Sequence, residues 1–152
     1  LTGYAYSATG NKGNNVLTGN GSDNILNGGG GNDTLVGGGG ADIFKFNSAL
    51  SATSNVDRIK DFTIDRMDDF NKDSIWLENG IFTALKKTGM LAAGAFAKNA
   101  SGVAQDADDR VIYETDTGKL FYDSNGNAAG GAVHFATLSA NLALTNADFF
   151  VI

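Results

Sequence analysis

The chain of 152 residues has no cysteine and a single histidine, His134. Without thiols it can form no disulfide, no thiolate metal site and no cysteine nucleophile. One imidazole cannot build a zinc site, which needs several N or S ligands, nor a triad, which needs a base beside a nucleophile. His134 therefore reads as a satisfied histidine of an edge strand. No run approaches the roughly 18 apolar residues of a membrane helix. No stretch near Leu1 joins a basic region to an apolar core, so we expect no classical signal peptide within these residues. The start in mid-pattern, without an initiating Met, leads us to expect a piece of a longer chain. There is no His-Glu-x-x-His run, serine elbow or paired-carboxylate cleft, so the fragment is expected to be non-catalytic. Basic residues number 11 against 17 acidic ones, a net charge of −6, which argues against a nucleic-acid surface. Only Glu78 and Glu114 are glutamates; the bias to Asp fits turns and hard-cation ligation.

What is present is glycine in a period. Of the 21 glycines, 13 fall in the first 45 residues. From Gly10 to Lys45 the chain reads GNKGNNVLT, GNGSDNILN, GGGGNDTLV and GGGGADIFK, four in-phase units of the form G-G-x-G-x-D-x-U-x. The large apolar U is Leu17, Leu26, Leu35 and Phe44. The last three residues of a unit make a short strand with its middle side chain inward. The first six make a turn whose glycines tolerate positive φ and close backbone approach. Two units form one coil, so Asp33 stacks over Asn15, and Asp42 over Asn24. Ca²⁺ takes six to eight hard oxygens. The side chains proposed for it are Asn15, Asn24, Asp33 and Asp42, joined by Asp23 and Asn32. Backbone ligands come from the turns at Gly10, Gly19, Gly28, Gly29, Gly31, Gly37, Gly38 and Gly40. Asn at positions 15 and 24 lowers the ligand charge of the early sites. One apolar residue in nine cannot offset the entropy of ordering so much glycine, so the repeats should fold only with metal.

The rest of the chain can form a conventional core, since apolar residues make up 42% of the composition and ten are Phe. We place a boundary at 55/56. Residues 1–9 read as a degenerate unit with Ala8 in the plug position. In the alternating stretch Val56–Phe62, Asp57 and Asp61 flank Ile59 and suit the open end of the repeats, as ligands of its last ion. Asp65, Asp68, Asp69 and Asp73 read as a solvated loop, followed by a strand at Ser74–Leu77. Trp76 reads as a packing residue. Short helical turns are expected over 81–87 and 91–97, broken at Gly89. The clearest hairpin joins Arg110–Glu114 to Lys119–Tyr122 through Gly118. Asp123–Asn127 begins like an EF-hand loop, but glycine and the closing Glu fall out of place, leaving an Asn-Gly turn before a strand at Ala132–Ala136. Thr145 and Asp148 resemble a capped turn ahead of four apolar residues, Phe149 to Ile152.

The repeats carry the known signature of the calcium-binding nonapeptide of RTX proteins. Together with Asp57-x-Ile59-x-Asp61-Phe62, Asp73-x-Ile75-x-Leu77, Gly94-Ala-Phe96, Asp108-Asp-Arg110-x-Ile112-Tyr113, Gly118-x-Leu120-x-Tyr122-Asp123 and Ala147-Asp148-Phe149, the chain resembles the C-terminal domain of serralysin-like RTX exoproteins. The resemblance implies an all-β fold: a right-handed parallel β-roll continuing into a compact β-sandwich-like portion with short helical turns. It implies Ca²⁺ as cofactor and an extracellular, secreted protein with an upstream domain, such as a metalloprotease, on the same polypeptide. It also implies an uncleaved C-terminal signal, here Asp148, Phe149, Phe150, Val151 and Ile152, read by an ABC transporter with its adaptor and outer-membrane channel. Asn15 and Asn24, and the segment Asp65–Asp69, depart from the family pattern. A carbohydrate- or surface-binding module is the alternative reading.

Overall fold

The computed structural model describes residues 1, 6–64 and 71–152. Asp65, Asp68 and Asp69 lie outside the described residues, as does most of the first half of the degenerate unit. Each unit contributes one short strand: β1 (Ser7–Thr9), β2 (Val16–Asn20), β3 (Ile25–Asn27), β4 (Thr34–Gly38) and β5 (Ile43–Phe46). Successive strands alternate between two sheets, and within each sheet they run parallel, two nonapeptides apart: Ala8 faces Leu26, Leu26 faces Phe44, and Leu17 faces Leu35. The inward side chains Leu26, Leu35 and Phe44 are fully buried, and Leu17 is 8% exposed.

The coil runs on past the repeats. β6 (Asp57–Ile59) adds in parallel to β4, with Ile59 opposite Leu35. β7 (Ser74–Leu77) adds to β5, with Ile75 opposite Phe44 and Leu77 opposite Phe46. The remaining strands are β8 (Gly89–Met90), β9 (Phe96–Asn99), β10 (Val111–Glu114), β11 (Lys119–Asp123), β12 (Ala132–Thr137) and β13 (Phe149–Val151). They extend the same sheets to the orders β1-β3-β5-β7-β13-β8 and β2-β4-β6-β12-β11-β10-β9. Residue 56 thus lies between strands that share both sheets. One apolar cluster fills the space between them from Leu17 to Val151. Phe135 locks its middle by edge-to-face contacts with Phe46 at 5.2 Å and Phe82 at 5.3 Å.

Several local expectations change. Among the described residues the only helical turns are 3-10 turns at Ala93–Ala95 and Asn146–Asp148. Over 81–87 the chain makes tight turns, with Glu78 O accepting the N–H groups of Ile81 and Phe82. Gly89, expected as a helix breaker, has φ 106° and opens β8. Phe96–Asn99 pairs in parallel with β10, and that pairing overrides the helix propensity of the alanines in and before it. The hairpin forms as expected, with Val111 opposite Tyr122 and Tyr113 opposite Leu120. β12 lies between β6 and β11 and is not an edge strand. His134 is nonetheless satisfied: Nε2 lies 3.0 Å from both Ala136 O and Thr137 Oγ1, and burial lowers its pKa.

Candidate metal centre

The sixth position of each unit closes a turn and directs a short polar side chain along the coil axis. These positions form two columns. In one, Asn15 N–H donates to Asp33 Oδ1 (2.6 Å), and Asp33 N–H donates to Asp57 Oδ1 (3.0 Å). In the other, Asn24 N–H donates to Asp42 Oδ1 (2.8 Å), and Asp42 N–H donates to Asp73 Oδ1 (2.8 Å). Each carboxylate holds the backbone one coil back with one oxygen. The second oxygen of Asp33 and of Asp42, Oδ2, is buried and receives no hydrogen bond. The asparagines differ: Asn15 Oδ1 and Asn24 Oδ1 accept N–H groups of their own turns, from Asn11 and Asn20, both at 2.8 Å.

Glycine makes room for this arrangement. A Cβ on Gly28 would stand 2.2 Å from Asp33 Oδ2, and one on Gly37 would stand 2.2 Å from Asp42 Oδ2. Gly10 and Gly19 lie against the carbonyls of Gly28 and Gly37, where a Cβ would be 2.1 and 1.9 Å away. Gly29, Gly31, Gly38 and Gly40 all have positive φ, between 89° and 105°.

The other predicted ligands take up different places. Asp23 and Asn32 are exposed and brace the outside of the turns: Asp23 Oδ1 accepts from Ala41 N–H and Asn32 Oδ1 from Val56 N–H, both at 2.8 Å. Asp57 joins the first column and is 4% exposed. Asp61 closes the turn at Gly37, its two oxygens accepting the N–H groups of Gly37 and Gly38 at 2.9 Å each. Asp73, read from sequence as part of a solvated loop, is 2% exposed and continues the second column. Its Oδ2 accepts Thr63 N–H at 2.8 Å. The signal was present: Asp73-x-Ile75-x-Leu77 repeats the Asp42-x-Phe44-x-Phe46 pattern without the glycine turn before it.

Stacked buried carboxylates are expensive as anions. Burial raises the pKa of Asp33, takes Asp42 to about 6, and takes Asp57 and Asp73 each to about 7. Repulsion adds to this, from Asp33 on Asp57 and from Asp42 on Asp73. The donor set is all oxygen, carboxylate and carbonyl, which suits a hard cation and fits Ca²⁺. Among the described residues no three acidic, His or Cys side chains cluster to hold a metal, and carbonyls of the glycine turns would have to join Asp33 and Asp42 around a bound ion. The bound ion would supply the positive charge that lets Asp33 and Asp42 remain ionised in a buried place.

The C-terminal residues are part of the folded body. Asp148 is fully buried, accepts Thr145 N–H at 2.7 Å through Oδ2, and pairs with Lys72 at 3.5 Å. Phe149 and Val151 are buried in β13, between β7 and β8. Asp123 forms a turn, accepting Asn125 N–H at 3.0 Å.

Residues 9–44 match the RTX calcium-binding nonapeptide repeat, in four copies. RTX nonapeptide repeats are Ca²⁺-binding motifs. No curated protein matches the chain. Among the described residues no helix is long and apolar enough to cross a membrane.

Proposed function

We propose that this chain, which carries an RTX-type calcium-binding domain, is the calcium-dependent folding and type I secretion module of a larger exoprotein. The observation behind the reading is the pair of buried, donor-less carboxylate oxygens on Asp33 and Asp42. Such oxygens disfavour the folded state unless a cation joins them, so binding free energy becomes folding free energy. Cytosolic free calcium is far below extracellular calcium, where even sites with Kd of about 10⁻⁴–10⁻³ M fill. The repeats then stay threadable inside the cell and order outside it. The catalytic or adhesive work belongs to an upstream domain of the same polypeptide, and this module is not itself an enzyme.

In this reading Asp148 to Ile152 serve as the export signal, presented to the transporter before the sheets form. Export is tested by fusing the full domain to a passive cargo in a host with a matching type I exporter. Removing residues 149–152 should cut external cargo without lowering intracellular expression. Because β13 is an interior strand, calcium-induced folding of the purified deletion product must be measured alongside. Undiminished export would remove the tail from the signal.

One contact favours a second reading. Trp76 and Phe150 face each other on β7 and β13, half-buried, with ring centroids 6.5 Å apart. Aromatic pairs of this kind can receive a sugar face. A glycan array in calcium, with Trp76→Ala as control, decides it: specific binding lost in that variant would favour the carbohydrate-binding module.

A further inference from the structure

Outside the repeats, a cavity of about 360 Å³ opens where β8 and β13 of one sheet meet the segment leading into β10 of the other. That size is in the range of small-ligand sites, roughly 300–1,000 Å³. Its floor is the end of the hydrophobic core: Leu91 and Val151 line it, each 2% exposed. Met90, 56% exposed, forms an apolar lip. The polar lining is one-sided. Lys86, Lys87 and Arg110 face a single carboxylate, Asp108, in a chain whose net charge is −6.

Arg110 is the fixed member of this group. Its guanidinium donates to Asp109 O at 2.7 Å and to Ala107 O at 2.9 Å. Two backbone carbonyls orient the group without neutralising it, and its remaining N–H donors are left over. Among the described residues no carboxylate lies within ion-pair distance of it. A held, half-buried guanidinium beside a concave apolar floor pairs the two elements that recognise an amphiphile: a planar fork for an oxyanion and a dry wall for an alkyl chain.

We propose that this cavity binds a single-chain amphipathic anion, with its alkyl tail on Leu91, Val151 and Met90 and its oxyanion head at Arg110. The site is separate from the calcium columns and shares only Val151 with the residues proposed for export. Octanesulfonate is the probe, titrated into the calcium-saturated domain by calorimetry and by methyl NMR. It should bind at one saturable site and shift the methyl signals of Met90, Leu91 and Val151. The uncharged analogue 1-octanol should bind at least about tenfold more weakly, as should octanesulfonate to Arg110→Gln, from the loss of a charge-assisted contact. Arg110→Lys should fall between wild type and Arg110→Gln. Met90→Asp changes an exposed side chain, so it should leave calcium-induced folding unchanged while abolishing binding. It carries the test alone if Arg110→Gln does not fold. Absence of saturable binding below the micelle concentration, equal affinity for 1-octanol, or unchanged affinity in Met90→Asp would each overturn the proposal.

Discussion

At the scale of single residues, the columns distinguish asparagine from aspartate by what the second oxygen lacks. Asn15 is satisfied within its own turn, whereas Asp33 and Asp42 each keep one buried oxygen without a donor. Asp33→Ala and Asp42→Ala should therefore raise the calcium midpoint about tenfold or more, the scale of a lost charged contact, while Asn15→Ala moves it far less. Calorimetric titration of the three variants checks this, and similar midpoints would remove the assignment. The glycines give an independent test. Gly37→Ala puts a methyl 2.2 Å from Asp42 Oδ2 and should damage calcium binding as much as Asp42→Ala. Gly39→Ala meets nothing nearer than Gly21 Cα at 3.7 Å and should be nearly neutral. Protons act on the same oxygens. Asp42, Asp57 and Asp73 have folded pKa values of about 6, 7 and 7, above the ~3.9 of an unfolded Asp. Raised carboxylates favour folding below the unfolded value and lose that contribution as pH rises through about 7. The chelated domain should thus hold more β-structure at pH 5 than at pH 8 by circular dichroism. The calcium midpoint should run the other way, falling as pH rises, because the ligands must be deprotonated.

At the scale of elements, the sequence was legible where one strand carries its whole signal. The nonapeptide strands announce themselves by a plug at every ninth residue, and β10 and β11 by alternation around Gly118. Long-range pairing was not legible. Asp73 is buried because its partner, Asp42, lies 31 residues earlier, across a segment with no repeat glycines. Alanines around Phe96 suggest a helix locally, yet β10 was waiting with open hydrogen bonds. β13 has three residues and no alternation to display, but it fills the gap between β7 and β8. Its two faces predict unequal costs. Phe149 is fully buried and packs on Phe96 at 5.3 Å, so Phe149→Ala should cost about 3–5 kcal/mol. Phe150 is only half-buried beside Trp76, and Phe150→Ala should cost distinctly less. Denaturant unfolding in saturating calcium reads both; equal losses would mean that β13 is not held by its inward face.

At the scale of the molecule, the question is whether calcium governs the repeats alone or everything behind them. Both sheets pass from the repeats into the C-terminal strands without a break, through β4 to β6 to β12 and through β5 to β7 to β13. One core also runs from Leu17 to Val151. A loss of order in β4 and β5 therefore strips a hydrogen-bonded neighbour from β6 and β7 and uncovers Ile59 and Ile75. Against this, the C-terminal part has its own hairpin and aromatic cluster, with Phe82 in edge contact with both Tyr122 and Phe135. The shared sheets favour a single cooperative unit, because a β7 without β5 would become an edge strand with exposed backbone groups. The only tryptophan is well placed to report. Trp76 sits on β7, outside the repeats, directly opposite Lys45 of the last one. On chelation, Trp76 fluorescence and the far-UV signal should change together, with the same calcium midpoint, and Leu35→Asp should shift both by burying a charge between the coils. If the far-UV signal were lost while Trp76 kept its emission and its quenching, the repeats would be melting from a C-terminal body that stands without them, and calcium would control only the first third of the chain.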